Sequence, residues 1–254
     1  MYRARDIGVA VGGRALLDGA SVDIRPGHVT VLIGPNGAGK STLFKVLAGE
    51  RRPQRGQVTL DGADLAGLKP ARLARLRAVL PQSVHVAFPF SVEEVAGIGA
   101  APGRDSAGRI QRALARVELA GMAGHSYDPL SGGEKQRVQL ARALVQLEGG
   151  EGPGYLLLDE PTASLDLAQQ LLVLRLIRDL AGEGVGVLAV LHDLNLAAMV
   201  ADEIVALKQG RVAAQGTPAQ VLTDARIAEL YGVSVRIGWA PATPFLLPQA
   251  ASRA

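Results

Sequence analysis

Apolar positions in the first part of the chain recur in the short runs and alternations that are typical of β-strands. Val9 and Val11 alternate with smaller residues, and the following Gly12-Gly13 dipeptide favours a hairpin turn. Residues 28–33 form an apolar, β-branched run, which predicts a buried strand. The same pattern predicts short strands over 1–31, a helix over 41–47, a strand over 57–60, and a helical segment over 69–80 followed by a strand that ends at Pro81.

The pattern changes to mostly helical segments after residue 82. Proline and glycine interrupt these segments at Phe88-Pro89-Phe90 and at residues 101–103. An aromatic and apolar run over 155–158 then predicts another buried strand. The rest of the pattern predicts a helix over 167–180, a strand over 185–191, a helix over 195–200, and a hairpin of 204–208 and 211–214 around Gln209-Gly210.

Strands that alternate with helices indicate an α/β fold with a mainly parallel sheet covered on both faces. We therefore expect one domain in which residues 1–82 and 148–237 form the core and residues 83–147 form a helical insertion. The tail over 238–254 contains three prolines and is expected to be irregular or an edge appendage.

The composition narrows the class of protein without deciding it. Of the 254 residues, 48% are hydrophobic and 20% are charged, which is ordinary for a globular protein. The absence of cysteine excludes disulfides and thiolate chemistry. We expect neither a secretory signal nor a membrane span, because the first residues are polar and the most apolar stretch, residues 185–207, is interrupted by charged residues.

A net charge of +3 is too small to indicate nucleic-acid binding by itself. Basic residues do cluster between residues 51 and 77, and we interpret them as a solvated face rather than a phosphate-binding patch. A mildly basic surface also suits a protein beside an anionic membrane leaflet. The cluster comprises Arg51, Arg52, Arg55, Lys69, Arg72, Arg75 and Arg77.

Residues 34–42 match the pattern G-x-x-x-x-G-K-[ST], with an apolar strand before it and a helix after it. The glycines let backbone N–H groups turn inward around phosphates, and the helix N-terminus adds positive potential. Lys40 would neutralise β- and γ-phosphate oxygens, and Ser41 would hold Mg²⁺. The predicted nucleotide site comprises Gly34, Pro35, Asn36, Gly37, Ala38, Gly39, Lys40, Ser41 and Thr42.

Polar residues also follow three predicted strands. Asp159 and Glu160 should differ in role, because neighbouring strand residues face opposite sides of a sheet. We assign Asp159 to the coordination shell of Mg²⁺, and Glu160 to the polarisation of the attacking water. The alternative for this pair is an ordinary turn or helix cap. His192 could reach a γ-phosphate, although a lone histidine is more often structural. Gln82, at the junction into the insertion, could contact Mg²⁺ or the attacking water.

A second glycine-containing segment, Leu130-Ser131-Gly132-Gly133-Glu134, opens a predicted helix. Ser131 and Glu134 form a capping box, which is a sufficient structural explanation for both residues. Two adjacent glycines at a helix start are nevertheless costly in backbone entropy. They are better explained if the backbone must approach another group closely, and a phosphate is the natural candidate at a helix N-terminus.

Together these residues resemble the nucleotide-binding subunit of ATP-binding-cassette (ABC) transporters over almost the whole chain. The resemblance implies a P-loop NTPase (RecA-like) core with an N-terminal antiparallel β subdomain and an inserted α-helical subdomain. It also implies an ATPase that uses ATP and Mg²⁺, with metal contacts at Ser41, Gln82 and Asp159. Residues 34–42 are similar to the Walker A element, Gln82 to the Q-loop glutamine, 130–137 to the family signature, 156–160 to Walker B, Ser164 and Asp166 to the D-loop, and His192 to the switch histidine.

The resemblance implies partners as well. Ser131 and Gly133 of one copy would close over ATP held by Lys40 of a second copy, in a head-to-tail homodimer. That dimer would be peripheral on the cytoplasmic face of the inner cell membrane and bound to a transmembrane permease dimer. A substrate-binding protein would be an indirect partner. We expect no nucleic-acid partner.

The chain departs from the family pattern at the platform for adenine. The family usually offers an aromatic ring ahead of the glycine turn, whereas the segment here is Val9-Ala10-Val11-Gly12-Gly13. We expect weaker stacking on the base, which leaves base selectivity open.

Within the family, residues 77–82 and 88–95 resemble importers of iron complexes, haem and cobalamin. With residues 138–142 and 191–198 added, the chain most resembles the haem-importer ATPase. In that group the segment after the Q-loop meets a cytoplasmic helix of the permease. An exposed Phe88 and Phe90 would suit this contact, although two phenylalanines beside a proline are as often part of a local core. Importers of ferric siderophores or cobalamin stay open as alternatives, as do a soluble cassette ATPase acting on nucleic acid or ribosomes and a P-loop kinase.

Overall fold

The computed structural model describes residues 1–84, 86, 88–100, 105–152 and 154–239. Within these ranges the chain forms an antiparallel sheet near its N-terminus and a larger, mostly parallel sheet. The strands are β1 (Tyr2–Val11), β2 (Arg14–Ile24), β3 (Val29–Ile33), β4 (Arg55–Leu60), β5 (Ala63–Asp64), β6 (Arg77–Leu80), β7 (Tyr155–Asp159), β8 (Gly186–Val190), β9 (Glu203–Lys208) and β10 (Arg211–Gly216). The helices are α1 (Lys40–Leu47), α2 (Pro70–Leu76), α3 (Val92–Gly97), α4 (Ser106–Arg116), α5 (Gly132–Glu148), α6 (Leu167–Gly182), α7 (Leu194–Val200), α8 (Pro218–Val221) and α9 (Asp224–Tyr231).

Helices α3 to α7 cover one face of the larger sheet, and helix α1 together with the antiparallel sheet covers the other. Its strand order is β10-β9-β3-β8-β7-β6, and that of the antiparallel sheet is β2-β1-β4-β5. Val31 of β3 packs in the core that contains residues of α3 to α7, whereas its neighbour Leu32 packs with α1 and the antiparallel sheet. This alternation is what a pleated strand buried on both faces requires. The predicted α/β class and the covering of both faces are confirmed.

The register of the parallel strands brings four strand ends to one edge of the sheet. Leu80 of β6 pairs with Leu158 of β7, and Asp159 of β7 pairs with Val190 of β8. Val190 is also the partner of Leu32 in β3. Any residue that follows β3, β6, β7 or β8 is therefore directed toward the same edge, where open α/β sheets bind ligands.

Most predicted elements agree with the structure, including the β1–β2 hairpin around Gly12-Gly13 and the hairpin of β9 and β10. The helical prediction over 69–80 is wrong in its last third. Helix α2 ends at Leu76, and the residues after it form β6, because parallel pairing with β7 buries Ala78 and Leu80. The C-terminal helices α8 and α9 had no counterpart in the prediction, although Thr217 and Thr223 precede them as N-cap residues.

Helices α3, α4 and α5 lie between β6 and β7 in the chain, in the segment that we propose as an insertion. Their buried residues, for example Val95 and Leu144, belong to the same apolar core as the parallel sheet. Of the proposed tail, Gly238 and Trp239 lie within the described residues and the prolines beyond them do not. No helix in the described ranges combines the length and the apolar character that crossing a bilayer requires.

Candidate functional site

The loop between β3 and α1 folds around its own lysine. Lys40 Nζ donates hydrogen bonds to the carbonyl oxygens of Gly34 and Pro35, at 2.7 Å and 3.1 Å. The side chain is only 6% exposed, and this burial lowers the pKa of Lys40, while Glu160 and Asp159 oppose the shift. A desolvated cation held by carbonyl groups alone is suited to receive an anionic ligand.

Two glycines of this loop occupy positions that no side chain could share. Gly34 has φ 145°, and a Cβ atom there would overlap the carbonyl oxygen of Leu207. Gly39 has φ 106°, and its Cβ would lie 2.8 Å from the carbonyl oxygen of Leu16. Gly39 is also the N-cap of α1 and offers no side-chain cap, so that the first-turn N–H groups stay available to a bound anion.

Asp159 ends β7 on the same face of the sheet as Leu157, which packs in the core that includes α1. It is 5% exposed, and its Oδ1 atom has no hydrogen-bond partner. Burial, with a smaller contribution from the charge of Glu160, raises the pKa of Asp159 to about 6. Lys45 and His192 oppose this shift. A buried carboxylate oxygen without a partner is an obvious ligand for a hard cation.

Glu160 and His192 meet at the edge of the sheet. The Nε2 atom of His192 lies 2.6 Å from Oε1 of Glu160, and the two side chains are 49% and 18% exposed respectively. Glu160 has φ 53°, in the left-handed region that residues other than glycine rarely adopt. This backbone takes Glu160 out of the strand alternation from which we predicted different roles for the two carboxylates. Their surroundings do differ, but through the left-handed turn at Glu160 rather than through alternation along a strand.

The other predicted site residues are exposed to solvent, and one of them already has a structural role. They are Ser41, Gln82, Ser164 and Asp166. Ser41 and Gln82 are exposed, at the start of α1 and beyond the end of β6. Ser164 has φ 61°, within the turn that precedes α6. Asp166 is the N-cap of α6 and accepts a hydrogen bond from Gln169 N at 2.9 Å. The cap accounts for Asp166 within one chain, and any role toward a second copy is additional to it.

The segment Leu130–Glu134 forms the capping box predicted for it. Glu134 accepts hydrogen bonds from the backbone N and the Oγ of Ser131, and Ser131 Oγ accepts one from Glu134 N. The two glycines differ in their surroundings. A Cβ on Gly133 would lie 2.6 Å from Gln169 Oε1, so the close approach there is to α6 of the same chain, whereas a Cβ on Gly132 would meet nothing within 4 Å.

Gln136 lies within the signature-like segment 130–137, but local spacing predicts no individual role for it. Its Nε2 atom donates a hydrogen bond to the carbonyl oxygen of Glu160 at 3.0 Å. The two residues are 24 positions apart and come together only because α5 packs beside the end of β7. Sequence spacing carries no signal for such a contact.

Two surface predictions have mixed outcomes. Phe88 is 67% exposed, which suits a partner contact, whereas Phe90 is partly buried against the main core, which agrees with the alternative of a local core. In the basic cluster, Arg72 and Arg75 form ion pairs with Glu151, and Arg55 pairs with two aspartates. These pairs support the interpretation of a solvated face.

The oxygen atoms available at the site fit a magnesium ion that is bound partly by the protein and partly by the phosphates of a nucleotide. Among the described residues, no group of three or more His, Cys, Asp or Glu side chains could hold a metal. Mg²⁺ usually takes one or two carboxylates and completes its shell with water and phosphate oxygens. Asp159 and the exposed hydroxyl of Ser41 can supply the protein part of such a shell.

Comparison with known proteins places these motifs in a known context. The family model for ABC transporters matches residues 17–163. The hemin import ATP-binding protein HmuV of Rhizobium meliloti is 50% identical, over 99% of this chain and 100% of that protein. HmuV of Agrobacterium fabrum is 49% identical over 100% of both chains, and HmuV of Hahella chejuensis is 48% identical over 93% and 94%.

Solved structures show the same architecture. The dimeric structure of a bacterial ABC transporter cassette has a TM-score of 0.76 and 26% identity, covering 86% of this chain and 99% of that chain. The ADP conformation of another ATP-binding cassette has a TM-score of 0.80 over 91% of this chain and 98% of that chain. Its identity is 24%, so this second likeness concerns the fold.

The burial of Asp159 predicts a pH-dependent effect on stability. The folded pKa of about 6 lies above the ordinary 3.8, so the folded chain loses stability as pH rises between these values. In EDTA, Asp159→Asn should therefore increase the free energy of unfolding at neutral pH, with the gain disappearing below about pH 4. Urea unfolding at a series of pH values measures the gain. A gain that is constant over this range would contradict the burial effect.

The missing aromatic ring predicts weak recognition of the base. Val11 is 51% exposed at the end of the hairpin whose second strand packs against the glycine loop. Stacking on an aromatic ring contributes about 1–3 kcal/mol per base, so Val11→Tyr should tighten ATP binding by about fivefold or more. Calorimetry with ATP and with inorganic triphosphate checks this. An equal gain for both ligands would show that the new ring does not act through the base.

Proposed function

The chain belongs to the ABC transporter family, and we propose that it is the ATP-hydrolysing subunit of a haem importer. The family match and the full-length similarity to several hemin import ATP-binding proteins support this assignment. The observation that carries the catalytic part is the 2.6 Å contact between Glu160 and His192, beside the buried cation of Lys40.

In this proposal the glycine loop binds the phosphates of ATP. Lys40 exchanges the carbonyl oxygens of Gly34 and Pro35 for phosphate oxygens, and the uncapped N–H groups of α1 add further donors. Ser41, Asp159 and Gln82 would hold Mg²⁺, directly or through water. When bound, Mg²⁺ neutralises charge on the phosphates.

Glu160 polarises the attacking water through its carboxylate, and His192 fixes the direction of that carboxylate. His192 is half exposed, so its ring can also turn to the γ-phosphate when nucleotide is present. Loss of the γ-phosphate would then return His192 to Glu160. This makes the pair a sensor of hydrolysis as well as part of the catalytic site.

A second copy of the chain completes the site. Ser131 is exposed at the start of α5, and Gly132 faces open space. The helix N-terminus that they form is free to approach a phosphate held by Lys40 of the partner subunit. The dimeric cassette among the similar structures supports this arrangement. A monomer would bind ATP but hydrolyse it slowly.

In this proposal the dimer lies on the cytoplasmic face of the inner membrane, against a permease dimer. A substrate-binding protein delivers the cargo to that permease. Phe88 is an exposed aromatic residue that follows Gln82 closely in the chain, and it suits contact with a permease helix. Movement of Gln82 and the helical insertion on ATP binding would transmit closure of the dimer to the permease. The activity is then an ATP-driven translocation, with haem as the cargo.

Within the importers, ferric siderophores or cobalamin are the alternative cargo, because the roles proposed for the site residues concern ATP and Mg²⁺ and do not distinguish one cargo from another. A soluble cassette ATPase acting on nucleic acid or ribosomes is less well supported. The relatives with hemin import in their names cover nearly the full chain, and part of the basic cluster is neutralised by Glu151.

Replacement of Glu160 by Gln tests the catalytic proposal. The amide cannot polarise water, so turnover should fall by about a hundredfold or more, while ATP binding persists. Steady-state ATPase assays and nucleotide binding measure the two effects, and an ATP-bound dimer should accumulate in size-exclusion chromatography. Glu229→Gln, a change at an exposed surface ion pair, serves as the control. Full turnover of the Glu160→Gln protein would refute the role of this residue.

Deletion of the gene tests the cargo. The deletion strain should fail to grow with haem as the sole iron source and should grow normally with inorganic iron. The Lys40→Ala gene should not restore growth, because the phosphates lose their buried cation, whereas the unmodified gene should. Loss of growth on a ferric siderophore, with growth on haem retained, would replace haem by the alternative cargo.

A further inference from the structure

Helix α5 contacts the catalytic segment of its own chain at two points. Gln136, in the second turn of α5, donates a hydrogen bond from Nε2 to the carbonyl oxygen of Glu160 at 3.0 Å. Gly133, in the first turn, lies so close to α6 that a Cβ would approach Gln169 Oε1 to 2.6 Å and Leu165 Cδ2 to 3.3 Å. The start of α5 therefore packs against both ends of the segment 160–169.

The contact at Glu160 falls on a strained peptide. Glu160 has φ 53°, which an L-residue holds only when its surroundings impose it. Its backbone N donates to the carbonyl oxygen of Val190 at 3.2 Å, and its carbonyl accepts from Ala163 N at 3.1 Å. Both of these partners are backbone atoms. Within the described residues, Gln136 provides the side-chain hydrogen bond to this peptide.

The direction of the carboxylate depends on that backbone conformation. At the observed φ, Oε1 of Glu160 lies 2.6 Å from Nε2 of His192. Rotation of the peptide toward the ordinary strand conformation would turn the side chain to the other face of the sheet, away from His192. The hydrogen bond from Gln136 opposes this rotation, because it fixes the carbonyl oxygen from a third direction.

We propose that Gln136 is a positioning residue that holds Glu160 in its hydrolytic geometry and thereby links the two ATP sites of the dimer. This inference rests on the proposed function. The helix that presents Ser131 to ATP held by the partner subunit also holds Glu160, which acts on ATP held by its own chain. A shift of α5 on binding of one nucleotide therefore moves the catalytic carboxylate at the other.

The test replaces Gln136 by Met, which has similar length and no N–H donor. Misplacement of a catalytic group by a fraction of an ångström is costly, so kcat should fall by about tenfold or more, while the KM for ATP changes less than about twofold. The Hill coefficient for ATP should fall toward one, because α5 no longer transmits its position to Glu160. ATPase assays at a range of Mg-ATP concentrations on the full chain give all three values.

Gln146→Met is the matched control. Gln146 lies on the same helix, and its Nε2 atom donates to the carbonyl oxygens of Ala74 and Arg77 at 3.0 Å and 2.9 Å. Its loss removes comparable hydrogen bonds from α5 but none at Glu160. The control should keep the kcat and the Hill coefficient of the unmodified chain, even if its melting temperature falls.

Equal losses of kcat in the Gln136→Met and Gln146→Met proteins would overturn the proposal, because they would show only a structural effect of α5. An unchanged kcat in Gln136→Met would overturn it as well. If Gln136→Met does not fold, Gln136→Asn, one methylene too short to reach the carbonyl oxygen, is expected to show the same fall in kcat. Absence of ATP hydrolysis by the unmodified chain would instead refute the proposed function and is measured first.

Discussion

Parallel pairing of β3, β8, β7 and β6 places four strand ends on one edge of the sheet, and the candidate catalytic groups lie just beyond them. Lys40 follows β3 through the glycine loop, Glu160 follows β7, His192 follows β8 and Gln82 follows β6. A shift of one residue in any of these registers would turn the side chains to the opposite face and disperse the site. The two apolar cores on either side of the sheet hold the registers in place.

The site combines buried charge with exposed ligands. Lys40 and Asp159 are almost fully buried, and the pKa of each is shifted toward its neutral form. Each therefore has electrostatic free energy to gain from a ligand of opposite charge, a phosphate for Lys40 and a cation for Asp159. Ser41, Gln82 and His192 are open to solvent and can reorganise as the ligand enters. The buried charges therefore favour binding of phosphate and cation, and the exposed side chains leave the site accessible to these ligands.

Helix α5 joins the two halves of the proposed mechanism. Its N-terminus is free of contacts at Gly132 and available to a second molecule, whereas Gly133 and Gln136 tie the same turns to the segment after β7. A helix whose N-terminus contacts a second molecule and whose side chains contact the catalytic segment of its own chain can transmit a displacement from one ATP site to the other. This geometry explains why a motif so far in sequence from the glycine loop belongs to the same catalytic cycle.

Most strands and helices around the site, the glycine loop and the capping box at Ser131 could be predicted from the amino-acid sequence, because they depend on local spacing, turn chemistry and alternation of apolar residues. The sequence also supplied the family, through six motifs in order. It misjudged Arg77–Leu80, where pairing with β7 overrode helical spacing. It left the exposure of Phe90 open, and this side chain packs against the core. Three features could not be predicted in this way: the contact of His192 with Glu160, the unpartnered oxygen of Asp159 and the hydrogen bond from Gln136 to the Glu160 peptide. Each of these joins residues from different elements, and their distances follow from the packing of strands and helices, which no local pattern encodes.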